Sequence, residues 1–188
     1  MNSDPEEKKE LRKTLFRFFV LSLVGFLLYS PVLFFQSPSW SIYFSPQGGC
    51  TQAIIKELDA AKKEVLVQAY SFSSTPIAKA LVNAHQRGVK VKVILDKSEN
   101  QKRGKYSSAA FLAQSGIPTV VDAAHAIAHN KVMVIDGQIV ITGSFDLTPG
   151  SEEKNAENLL VIRDRELLGR YNQNFWEHEV HSEPYSGK

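Results

Sequence analysis

His129-Asn130-Lys131-Val132-Met133-Val134-Ile135-Asp136-Gly137-Gln138-Ile139-Val140-Ile141-Thr142-Gly143-Ser144 is two β-branched runs joined by an Asp-Gly pair. Such a pattern predicts a β-hairpin with a two-residue turn. With Asp136 and Gly137 as the loop, Ile135 faces Gln138, Lys131 falls opposite Thr142, and His129 falls opposite Ser144. Side chains alternate along a strand, so these four polar groups are expected on one side. An imidazole, an ammonium and hydroxyls would then meet at the open end of the hairpin, an arrangement suited to an anion.

The rest of the chain sets the frame for that hairpin. Its 188 residues suit one domain with an extension, and the single cysteine, Cys50, excludes an intrachain disulfide framework and a thiolate zinc cluster. The formal net charge of +2 points to no class of partner. Residues 1–14 read as a polar, cytoplasmic N-terminal tail. The run from Leu15 to Phe35 is apolar over about the 20 residues that span a bilayer, and is expected to be a transmembrane anchor or a signal segment. Small-x-small spacing for cleavage is missing, which favours the uncleaved anchor. Lys8, Lys9, Arg12, Lys13 and Arg17 lie on its N-terminal side, and the next basic residue is Lys56. The positive-inside rule therefore places the N-terminus in the cytoplasm and the rest of the chain in the periplasm of a bacterial inner membrane, or secreted there after signal cleavage.

Residues 36–40 form a Pro/Ser linker, and 41–188 a domain of alternating strand and helix patterns. Strands are expected at Ser41–Phe44, Glu64–Phe72, Lys90–Leu95, Pro118–Val121 and Asn158–Ile162, in addition to the hairpin. Helices are expected at Thr51–Ala61, from a Thr75 cap and Pro76 to Arg87, at Ser107–Gln114, and at Arg165–Val180 behind an Asp164 cap. The fold class is α/β, a mixed sheet flanked by helices and preceded by the transmembrane helix.

His129-x-Lys131-x-x-x-x-Asp136, followed by Gly143-Ser144 and Asn155-Ala156-Glu157-Asn158, resembles the HKD motif of the phospholipase D superfamily. Gly88-Val89-Lys90-Val91-Lys92-Val93-Ile94-Leu95-Asp96, Ser115-Gly116-Ile117-Pro118 and the Trp-containing last helix extend the resemblance over about Ser41 to Glu179. The similarity is to small single-motif members, the Nuc-type bacterial endonucleases and the mitochondrial cardiolipin hydrolases. It implies a phospholipase D-like fold and metal-independent phosphodiester hydrolysis through a phosphohistidine, with no cofactor and no metal. A neutral imidazole can attack phosphorus, and the Lys131 ammonium and Ser144 hydroxyl can hold the non-bridging oxygens. The leaving alkoxide needs an acid. With one motif per chain, the resemblance implies a homodimer in which two His129 residues share the work. His125 is a rival acid within one chain.

Glu157 is expected to orient His129, with Gly143, Asn155 and Asn158 supporting the motif. Asp136 lies about seven strand residues from His129, roughly 20 Å, which makes it a turn or ion-pair residue whose loss should damage folding more than chemistry. Asp146 stands where Nuc-type enzymes commonly have Asn. A carboxylate there repels phosphate unless it pairs with Lys131 or with Lys154. Lys97, Lys102, Arg103 and Lys105 follow a strand and are expected to contact substrate, tracking a nucleic-acid backbone. From Pro38 onward, however, 17 Lys/Arg stand against 16 Asp/Glu, so bulk charge adds nothing. The expected activity is an anchored endonuclease on DNA or RNA. A phospholipase D or cardiolipin hydrolase acting on membrane lipid is the alternative, and a binding module whose site has decayed through Asp146 is the third.

Overall fold

The computed structural model describes residues 5–29, 38–101 and 108–186. The chain divides into two units, Met1–Ser37 and Pro38–Lys188. The second unit runs β1 (Ser39–Ser45), α2 (Cys50–Ala60), β2 (Glu64–Ala69), α3 (Thr75–Gln86), β3 (Lys90–Asp96), α4 (Ser108–Gln114), β4 (Thr119–Asp122), β5 (Lys131–Ile135) and β6 (Ile139–Gly143). It closes with α5 (Pro149–Glu153), β7 (Glu157–Arg163), α6 (Arg165–Val180) and β8 (Glu183–Pro184). A short 3-10 turn, Lys97–Gln101, follows β3. The first unit holds α1 (Pro5–Tyr29).

All eight strands form one sheet in the order β1-β7-β6-β5-β2-β3-β4-β8. Strands β2, β3 and β4 are parallel, with α3 and α4 as the connecting helices, and the other pairings are antiparallel. The mixed sheet flanked by helices is thus the one expected. Helices α2, α3 and α4 bury Ile54, Leu58, Ile77, Leu81 and Leu112 in the main core, with Val65, Val67, Val93, Met133 and Ile141 of the sheet. Helix α6 covers the other face, where Phe175 packs with Leu66, Ile94, Val132 and Val134. Of the two lysines of β3, Lys90 is exposed and Lys92 is partly covered. Lys92 lies under α6, its Nζ 4.6 Å from the Trp176 ring centre and 2.9 Å from Glu179, with the stem along the apolar surface and the charge at its edge. At the sheet's end, β1 exposes Trp40, Ile42 and Phe44 from alternate positions.

The transmembrane helix is corrected. Among the described residues, no helix is long and apolar enough to cross a membrane. Helix α1 carries charge through Arg17, which leaves about 12 residues from Phe18 to Tyr29. At 1.5 Å per residue they reach roughly 18 Å, against a hydrocarbon core of about 30 Å. Residues 30–35 of the predicted span lie outside the described residues. The periplasmic placement was drawn from that span, which no helix among the described residues supplies.

Two local expectations also shift. The N-cap of α3 is Ser74 rather than Thr75. In the hairpin, Asp136 and Gly137 both adopt positive φ, 55° and 63°, as the Asp-Gly pair requires, and Gln138 N–H donates to the Ile135 carbonyl. Pairing nevertheless resumes at Ile135 with Ile139, so that Val132 faces Thr142. Gln138 is an extra residue, and the register slips by one. Lys131 is not opposite Thr142, nor His129 opposite Ser144.

The Asp136 carboxylate accepts from the main-chain N–H groups of Lys62, Lys63 and Glu64 at 2.9, 2.7 and 3.0 Å. Burial pushes its pKa up, but these three donors outweigh that and hold it below the ordinary carboxylate range. A depressed pKa contributes stability that is present above the unfolded value, about 3.9, and lost as pH falls through the folded one. Asp136→Asn keeps the tolerance for positive φ and removes the charge. It should lower stability by about 1–3 kcal/mol at pH 7, with the deficit shrinking below about pH 4. Urea denaturation at pH 7 and pH 3 checks this; a deficit equal at both would show that charge is not the cause.

Candidate active site

Strands β2, β3, β4 and β6 end, and β5 and β7 begin, at one edge of the sheet. The register fixes this, since Ala69 pairs with Lys131, Asp96 with Asp122, and Gly143 with Leu159. Loops outside the carboxyl ends of parallel strands are the usual place for ligands in open α/β sheets.

His129 is exposed just before β5, while the Lys131 side chain is only 7% exposed. The Lys131 ammonium lies 3.4 Å from both ring nitrogens of His129. Tyr70, directly after β2, completes the group. Its ring centre is 4.5 Å from that of His129 and 5.0 Å from Lys131 Nζ, and its N–H donates to the Asn130 carbonyl at 2.9 Å. Tyr70 was not singled out in the sequence. Its one signal was its place immediately beyond the apolar run of β2.

The second group stands on β6 and β7. Ser144 Oγ donates to Glu157 at 2.5 Å and accepts from Asn158 N–H at 3.1 Å, and Asn155 Nδ2 donates to the other Glu157 oxygen at 3.0 Å. Asn158 Nδ2 also reaches Ser144 Oγ at 3.3 Å. Both Glu157 oxygens are thus engaged, and the residue it orients is Ser144 rather than His129. Gly143 allows the junction. At φ 154°, a Cβ there would lie 2.2 Å from the Asn158 carbonyl oxygen, so β6 could not approach β7 with any side chain at this position.

Asp146 pairs with Lys131 of the first group, Oδ1 to Nζ 3.0 Å. Lys131, and not Lys154, is therefore its partner. Lys97 does not stand free on a rim, since its ammonium donates to the His125 carbonyl at 2.7 Å. Lys102, Arg103 and Lys105 lie outside the described residues.

A third cluster, of residues that could ligate a metal, stands at the same edge. Asp122, His125, His178 and His181 bring one ligand atom each to within 4.8 Å of one another. The sequence carried a signal in two equally spaced pairs, Asp122-x-x-His125 and His178-x-x-His181, but 52 residues separate them. His125, the rival acid, is committed here. Burial pushes the Asp122 carboxyl up, yet hydrogen bonds from His178, His125 and His181 outweigh it and bring it down to about 2. Neighbouring Asp96 accepts from the N–H groups of Ser98 and Ala128 at 2.9 and 2.8 Å.

Comparison with known proteins matches residues 54–179 to the family model described as cardiolipin synthase, PLD-like domain. The phospholipase D of Rickettsia typhi is 44% identical over 136 residues, which are 72% of this chain and 66% of that protein. The mitochondrial cardiolipin hydrolase of Xenopus laevis is 32% identical over 162 residues, 78% of this chain and 76% of its own. The chain spans about two thirds of the length of the Rickettsia relatives it matches. Among solved structures, the phospholipase D family member Nuc from Salmonella typhimurium superposes with a TM-score of 0.74 at 35% identity, over 79% of this chain and 99% of that one.

The Asp146 carboxylate occupies the ammonium that a phosphate would need. Asp146→Asn should raise kcat/KM on a phosphodiester about five- to tenfold, roughly 1.0–1.4 kcal/mol. A fall instead would mean that the carboxylate is needed to hold Lys131 in place.

Proposed function

We propose that this chain, which belongs to the phospholipase D superfamily, hydrolyses phosphodiester bonds through a phosphohistidine on His129. The observation that carries the proposal is the exposed His129 imidazole beside the nearly buried Lys131 ammonium. A neutral ring nitrogen attacks phosphorus, a P–N bond forms, and the P–O bond to the leaving alkoxide breaks. Water then displaces the histidine and releases the phosphomonoester. Lys131 meets the charge that develops on the non-bridging oxygens. Ser144, with its proton directed to Glu157, is a second candidate contact for those oxygens.

The alkoxide must receive a proton. His125 is tied to Asp122 by contacts of 2.9 and 3.1 Å, which weakens the in-chain alternative. His129 of a second copy remains as donor, and the proposal is a homodimer with one histidine as nucleophile and the other as acid. Nucleic acid is the proposed substrate, on the strength of the likeness to Nuc along nearly its whole chain. A phospholipid is the second reading, favoured by the relatives named phospholipase D and cardiolipin hydrolase.

With no divalent metal added, the wild-type chain should cleave single-stranded DNA or RNA. His129→Ala should lose at least about a thousandfold, roughly 4 kcal/mol of transition-state stabilisation. Release of headgroup from phosphatidyl substrates, lost in the same variant, would transfer the assignment to the lipid reading. Turnover unchanged by His129→Ala would overturn both. Sedimentation at assay concentration tests the second subunit, and a fully active monomer would exclude it.

A further inference from the structure

We propose that Asp122, His125, His178 and His181 form a binding site for a zinc-class divalent metal ion, separate from the catalytic pair. Nothing in the phosphohistidine chemistry requires it. The site is built from three parts of the chain. Asp122 ends β4, His125 lies in the loop that leads to His129, and His178 and His181 are three apart at the end of α6. Residues three apart on a helix share a face. Just beyond His181 the chain turns back, and β8 pairs with β4, Val121 beside Glu183 and Val120 beside Pro184. That pairing holds the end of α6 against the end of β4.

The donor set is nitrogen-rich, three imidazoles converging on one carboxylate. Asp122 Oδ2 lies 2.6 Å from His178 Nδ1, 2.9 Å from His125 Nδ1 and 3.4 Å from His181 Nε2. Zinc bound to nitrogen at 2.0–2.1 Å sets its ligands about 3.3–3.4 Å apart, so small rotations of imidazoles that already converge would admit the ion. The other Asp122 oxygen accepts from Ala124 N–H at 3.1 Å, the outer-shell bond that usually orients a metal-binding carboxylate. Three imidazoles and one carboxylate suit zinc and its first-row neighbours and not magnesium or calcium, which take oxygen.

Two further observations point to a cation. The Asp122 side chain is fully buried, and its partner across the strand pair is another buried carboxylate, Asp96. Asp96 is met by main-chain N–H groups, while Asp122 faces the histidines. In addition, Gln68 lines the same crevice as Asp122 and His178. Its carboxamide is 2% exposed, with neither its oxygen nor its nitrogen hydrogen-bonded. Buried amides without a partner are rare in folded proteins.

Ala128 and Asn130, which flank His129, line that crevice as well. A metal here would tie β4, the loop to His129 and the C-terminal helix together, and so fix where His129 enters the active site. His125, His178 and His181 are positioning residues in this reading.

The test uses the full chain, stripped with chelator and titrated with Zn²⁺ and Co²⁺. One ion per chain is expected, with the visible absorption of tetrahedral Co²⁺ and a melting temperature that rises with zinc concentration. His178→Ala and His181→Ala should each weaken binding at least tenfold. Because His178 is the more buried, the exposed His125→Ala keeps the test sound if that variant fails to fold, and it should weaken binding similarly. Binding below half an ion per chain would overturn the proposal. So would affinity unchanged in His181→Ala and His125→Ala, or a Co²⁺ spectrum that is octahedral.

Discussion

The three hydrogen bonds that the Asp136 carboxylate accepts from residues 62–64 are the constraint on which the site depends. They sit at the far end of β5 from His129 and fasten the start of β2 to the hairpin turn. Strands β2 and β5 are antiparallel, so a bond at one end dictates what stands opposite what at the other. With Val65 beside Ile135, Lys131 must fall beside Ala69, and Tyr70 then meets Asn130 and His129. The aspartate of the motif therefore serves chemistry at a distance, by fixing the register along which the imidazole and ammonium are delivered.

Much of this was legible beforehand. Period-two patterns found β3 and the hairpin, and helical spacing with an Asp164 cap found α6, whose Leu167 N–H donates to that carboxylate. The position of Asp136 at a turn followed from the Asp-Gly pair, and its distance from His129 from strand length. The hairpin register did not, because an Asp-Gly pair specifies positive φ at two residues but is silent on whether a third, Gln138, is looped out. The contacts of Glu157 with Ser144 and Asn155 were not legible either, because they depend on β7 lying beside β6 in the sheet. The apolar N-terminal run misled differently. Composition measures how apolar a window is, whereas a span needs an apolar helix of sufficient length, and the described helix ends at Tyr29, 12 residues beyond Arg17.

The three-histidine cluster escaped because its halves lie 52 residues apart and come together only through tertiary structure. Neither half is unusual alone. Helix α6 had to pack its Phe175 face on the sheet before His178 could point at the end of β4. The two-residue β8 carries no hydrophobic period by which it could be foreseen, yet it returns the chain alongside β4 and keeps His181 in range. The edge of the sheet thus holds two chemically distinct centres, one presenting an imidazole to solvent, the other turning three imidazoles inward on a buried carboxylate.

Strand β1 has a consequence for synthesis. Among the described residues its only sheet neighbour is β7, with Ser39 beside Arg163 and Ser45 beside Glu157, so the domain's first strand pairs with its last long one. On a ribosome adding about 5–20 residues per second, β1 emerges roughly 6–25 s before its partner. During that interval Trp40, Ile42 and Phe44 have no sheet beside them, and the backbone between them offers an unpaired edge of the kind other chains adopt. The order of the strands in space, set against their order in the chain, makes the nascent domain most adhesive at its own beginning until its final quarter is made.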